Sequence, residues 1–70
     1  MKLTNVEKLK EVIEESGLRK SFIAKRLNIT PQGYWKKENG QSDFTASEVA
    51  IMKDLLNLSA KQTAEIFLSN

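Results

Sequence analysis

The 70-residue chain contains neither cysteine nor histidine, which excludes a disulfide framework, a zinc site and a Ser-His or Cys-His nucleophile and leaves one small domain, residues 1–70, whose core must come from helix packing. Its acids are scattered among lysines with no pair set for acid–base work, its apolar runs fall short of the roughly 20 residues that span a bilayer, and Met1-Lys2-Leu3-Thr4 lacks a signal-peptide core, so the chain reads as a cytoplasmic protein, not an enzyme, with no cofactor. The net charge of +2 hides a basic middle: residues 18–37 carry Arg19, Lys20, Lys25, Arg26, Lys36 and Lys37 without an acid (+6), against −1 for residues 1–17 and −3 for 38–70, which is the electrostatic footprint of nucleic-acid binding.

The first helix is expected from about Asn5 to Ser16. Thr4 and Glu7 have the spacing of a capping box. Val6, Leu9, Val12 and Ile13 share one face, Lys8, Glu11, Glu14 and Glu15 face water, and Gly17 stands at the C′ position. Leu18 leads in as a core anchor. A second helix follows over Lys20 to Leu27, with Ile23, Ala24 and Leu27 at core spacing. Asn28 enters the left-handed region cheaply, and Ile29 gives one apolar anchor.

Thr30-Pro31 opens the third helix with a hydroxyl at the N-cap and proline at the first helical position. Ile29 and Tyr34 have the spacing of a hydrophobic staple. The helix runs to about Asn39, and Gly40 stops it. The fourth helix spans about Ala46 to Leu56, opened by a Thr45/Glu48 capping box and a Phe44/Val49 staple. Val49, Met52 and Leu56 form its stripe, flanked by Ile51 and Leu55. Ser59 and Gln62 form a further capping box that opens a short helix to about Leu68. Five short helices and no strand predict a compact all-α domain.

The segment from Leu18 to Gly40 resembles the helix-turn-helix of the Cro and phage-repressor (XRE-type) regulators. The match rests on Ile23-Ala24, Leu27, Ile29-Thr30 and Asn39-Gly40, and the following Phe44-x-x-Ser47 is similar to the same family. The resemblance implies a lambda-repressor-like five-helix domain with its motif at about residues 19–40. It implies a sequence-specific transcriptional regulator that lays the helix at about 31–39 in the major groove of double-stranded DNA. Carried over by position, Pro31, Gln32 and Lys36 face base edges, with Trp35 alongside. Lys20 contacts phosphate, and Asn39, Gln41 and Ser42 form a backbone-touching loop using side chains and N–H groups. Glu38 would lie near phosphates, where it is unfavourable. Such regulators bind as dimers, with reading helices about 34 Å apart.

The alternative reading is a phage antirepressor, a modulator of repression that uses the same scaffold to bind a partner repressor protein. Gly33 inside the reading helix costs roughly 1 kcal/mol against alanine, and Pro31 stands in place of a polar reader. Tyr34, Trp35 and the apolar end Ile66, Phe67 and Leu68 supply surface for that partner, or for a homodimer. An antitoxin role is disfavoured by the lack of a disordered toxin-wrapping tail.

Overall fold

The computed structural model describes residues 4–68, and every helix predicted from the sequence is present. In chain order these are α1 (Val6–Ser16), α2 (Lys20–Arg26), α3 (Pro31–Glu38), α4 (Ala46–Leu55) and α5 (Ala60–Phe67). No strand occurs among the described residues.

Local chemistry sets the helix starts. The Thr30, Thr45 and Ser59 hydroxyls accept the backbone N–H of Gly33, Glu48 and Gln62, and Glu48 and Gln62 reciprocate to form two complete capping boxes. The start of α1 differs from the expected Thr4/Glu7 box. Asn5 is the N-cap, its Oδ1 accepting Lys8 N–H at 3.2 Å. With the cap moved on by one residue, Glu7 no longer occupies the third helical position that a capping box requires. Thr4 is buried instead.

Left-handed residues set several of the ends. Asn28 (φ 60°), Gly40 (φ 79°) and Asn57 (φ 52°) follow α2, α3 and α4. After each, two N–H groups turn back in a Schellman pattern. Asn28 donates to the Lys25 carbonyl and Ile29 to Ala24; Gly40 donates to Lys37 and Gln41 to Lys36; Asn57 donates to Asp54 and Leu58 to Lys53.

The core is built from Leu9, Ile13, Ile23, Ala24, Leu27, Tyr34, Met52, Leu58, Ile66 and Phe67. Its aromatic members stack edge-on. The Phe44 ring lies 6.4 Å from Tyr34 and 5.2 Å from Phe67, arrangements that add to simple burial. On α4 only Met52 is fully enclosed, while Val49, Ile51, Leu55 and the C-cap Leu56 pack half-buried against the core.

Three residues assigned to a partner or dimer surface are thereby corrected. Tyr34, Ile66 and Phe67 are buried within this chain, because α3 and α5 turn them onto the shared core. Of that set only Trp35 and Leu68 remain exposed.

Candidate nucleic-acid interface

Helix α3 has two opposed faces. Tyr34 and Glu38, one turn apart, point inward and are buried. Gln32, Trp35, Lys36 and Asn39 have the i, i+3, i+4, i+7 spacing of the other face. Gln32, Trp35 and Lys36 are exposed, Asn39 is half-buried at the helix end, and the Trp35 side chain is 52% exposed. Pro31 at the helix start and Gln41 and Ser42 beyond its end are also exposed. The helix is held against α2, where Ala24 is buried and its carbonyl accepts Ile29 N–H at 3.0 Å. A small side chain at Ala24 allows that close approach.

Glu38 departs from the sequence reading. It is buried, at 1% exposed, and not displayed on the surface. Its Oε2 accepts the Tyr34 hydroxyl at 2.9 Å and its Oε1 accepts Lys20 Nζ at 2.9 Å. A buried carboxylate needs such partners to offset its lost hydration. Burial first, then the Glu38 charge and the hydrogen bond to it, push the Tyr34 hydroxyl far above its ordinary range.

Lys20 is therefore not a free phosphate-binding cation. Its ammonium is anchored to Glu38, although its side chain is 58% exposed and keeps further donors for a second acceptor. Lys37 is structural. It pairs with Glu48 at 2.9 Å, donates to the Asp43 carbonyl at 2.8 Å, and sits 5.9 Å from the centre of the Phe44 ring. Its stem covers apolar surface while its head stays polar. Two of the six cations of the basic middle are thus neutralised internally. Among the described residues, Arg19, Lys25, Arg26 and Lys36 make no ion pair.

The loop after α3 is also more occupied than expected. The backbone N–H groups of Asn39 and Gln41 terminate the helix on the carbonyls of Trp35 and Lys36, so they are not available to a phosphate. The Asn39 amide is used at both ends: Nδ2 donates to the Trp35 carbonyl and Oδ1 accepts Lys10 Nζ, each at 2.9 Å. That contact brings Lys10 of α1 to the end of the exposed face. Sequence reasoning missed Lys10 because it lies 29 residues away on a helix that reads as ordinary solvated surface. The exposed face thus offers an amide at Gln32, an indole at Trp35 and ammonium groups at Lys36 and Lys10.

No group of acids able to hold a metal ion occurs among the described residues, and none of their helices is long and apolar enough to cross a membrane. Comparison of the chain with protein-family models, with curated proteins and with solved structures found no match.

Proposed function

We propose that this chain is a sequence-specific DNA-binding regulator of the Cro and phage-repressor type, with α2 and α3 as its helix-turn-helix and α3 as the reading helix. The observation that carries the proposal is the division of α3, whose inner face is locked by Tyr34 and Glu38 while Gln32, Trp35 and Lys36 stand exposed on the outer one. A reading helix needs a rigid support and free polar ends. Gln32 can bond both N6 and N7 of adenine, Lys36 can donate to guanine O6 and N7, and Trp35 can cover a thymine methyl. Lys20, still anchored to Glu38, supplies a phosphate contact through its remaining donors. Pro31, Ser42 and the Gln41 side chain border the same helix.

The test begins with a salt titration on random duplex DNA, followed by selection of a preferred site. Binding should weaken steeply as salt rises and should change the emission of Trp35, the single tryptophan. Gln32→Ala should cost about 1–3 kcal/mol at one base position. Lys20→Ala should weaken all sequences alike and flatten the salt slope. Salt-insensitive binding, or no binding, would overturn the assignment.

The second reading, capture of a partner repressor protein, is favoured by one observation, the exposed indole of Trp35 on the same face. Burial of Tyr34, Ile66 and Phe67 removes most of its other support. It predicts a tight 1:1 complex with a repressor and no affinity for DNA.

A further inference from the structure

A groove of about 480 Å³ opens between α2 and the start of α3. It is lined by Ser21 and Lys25 of α2, by Asn28 and Thr30 of the turn, and by Pro31, the first residue of α3. The turn is fixed against α2 by the Ile29 N–H, which donates to the carbonyl of buried Ala24 at 3.0 Å. Of the polar residues around the groove, none belongs to the proposed reading face of α3; only Pro31 is shared between the two.

The groove is rich in uncommitted donors. Ser21 and Lys25 stand one turn apart on α2 and are exposed, as is Asn28. Among the described residues, the side chains of these three make no hydrogen bond or ion pair. Thr30 Oγ1 accepts the Gly33 N–H and keeps its own proton to donate. No acidic residue lines the groove. Lys25 has none at its helical neighbours either, which are Ser21, Phe22, Asn28 and Ile29. Lys20 and Lys37 differ, because Glu38 and Glu48 hold their ammonium groups. A free ammonium beside hydroxyls and an amide, with no competing carboxylate, suits an oxyanion. Base edges present donors and acceptors in a mixed pattern, whereas a phosphodiester presents acceptors alone.

We infer that this groove seats one phosphate of the DNA backbone, with Lys25 as its cation and Ser21 and Asn28 as supporting donors. The inference rests on the DNA-binding reading of α3 and adds a contact that the sequence pattern did not supply. Pro31 borders both the groove and the reading face, and Gln32 follows it directly. A phosphate held in the groove therefore fixes the strand within one residue of the proposed adenine reader. Contacts of this kind carry no sequence information themselves but set the register in which bases are read.

The test is a neutral-phosphate scan. On the duplex site that the full chain selects, each phosphate in turn is replaced by an uncharged methylphosphonate, and the affinity of the native chain and its variants is measured. One phosphate next to the base pair read by Gln32 should stand out. Neutralising it should weaken the native chain about tenfold, the scale of a hydrogen bond to a charged group. Lys25→Ala should lose about as much on the natural site and should lose little more when that phosphate is neutralised, because its partner is already gone. Its salt slope should be shallower by about one. Ser21→Ala should show a smaller loss confined to the same phosphate. Arg26→Ala, outside the groove, should keep the full sensitivity there. Helical circular dichroism of each variant separates loss of contact from loss of fold. DNA binding with the same scan profile in the native and Lys25→Ala chains overturns the groove assignment and leaves the reading helix standing. Displacement of DNA by inorganic phosphate at constant ionic strength would mean a site for free anions, which also overturns it. Absence of DNA binding overturns both the groove assignment and the reading on which it rests.

Discussion

The Tyr34 hydroxyl and the Glu38 carboxylate meet at 2.9 Å one turn apart on α3, and the opposite carboxylate oxygen accepts Lys20 from α2. The three groups hold a buried charge between two helices, and their removal should not be equivalent. Lys20→Met strands that charge and should cost about 3 kcal/mol, the low end for an uncompensated buried ion. Tyr34→Phe removes one neutral donor and should cost about 1–2 kcal/mol. Urea unfolding monitored by circular dichroism gives both values. A Lys20→Met loss below about 0.5 kcal/mol would show that Glu38 needs no cation, as for an exposed pair.

Alkaline titration tests the same cluster from another side. Tyr34 is the only tyrosine, so the ultraviolet tyrosinate signal reports it alone. Its folded pKa is raised by burial and by Glu38. The stability it contributes is therefore complete below the unfolded value of about 10 and is lost as pH rises above it. Tyrosinate should appear together with loss of helical signal, not before it. Ionisation of a fully helical protein near the ordinary value would contradict the burial of the hydroxyl.

Glu48 should govern part of the acid limb. Burial acts to raise its pKa, but the hydrogen bond from Thr45 N–H, then that from Lys37 and the Lys37 charge, together hold it below the usual carboxylate value. A lowered folded pKa stabilises above the unfolded value, and that contribution is lost as pH falls through the folded one. Glu48→Gln should therefore lower stability near neutrality and flatten its decline in acid. Parallel denaturation curves from pH about 7 to about 3 would check this. An unchanged acid limb would mean that Glu48 titrates alike in both states.

Gly33 tests the crowding at the start of α3. Replacing a helical glycine by alanine gains about 1 kcal/mol when nothing interferes. Here the added Cβ would stand 3.2 Å from Thr30 Oγ1, the atom that accepts Gly33 N–H at 3.0 Å. Gly33→Ala should gain clearly less than the full amount, and the missing part should return in a Thr30→Ala background. Equal gains in both backgrounds would show that the cap yields freely.

Capping is local, which is why Thr30-Pro31, Thr45/Glu48, Ser59/Gln62, Gly40 and Asn28 marked element ends legibly in the sequence. The five-helix architecture followed from those marks and from apolar spacing. Which partner a charge takes is a tertiary matter. The link between Lys20 and Glu38 spans 18 residues, and no periodicity reveals it. One signal for Glu38 was nonetheless present, since it follows Tyr34 by one turn and shares its inward arc. The burial of Ile66 and Phe67 depends on where α5 lands. Among the residues assigned to a DNA contact, Gln32, Trp35 and Lys36 are exposed together on α3, whereas the N–H groups of Asn39 and Gln41 are committed to ending that helix.

Beyond its cap, Asn5 donates its own N–H to the Ile66 carbonyl at 2.6 Å, tying the entrance of α1 to the last turn of α5. The fold is thus fastened like a clasp, and fraying at one terminus frees the other. Amide hydrogen exchange at Asn5 should track that of α5 more closely than that of its own neighbours in α1, and a truncation removing Ile66 should loosen the first turn of α1 at the far end of the chain.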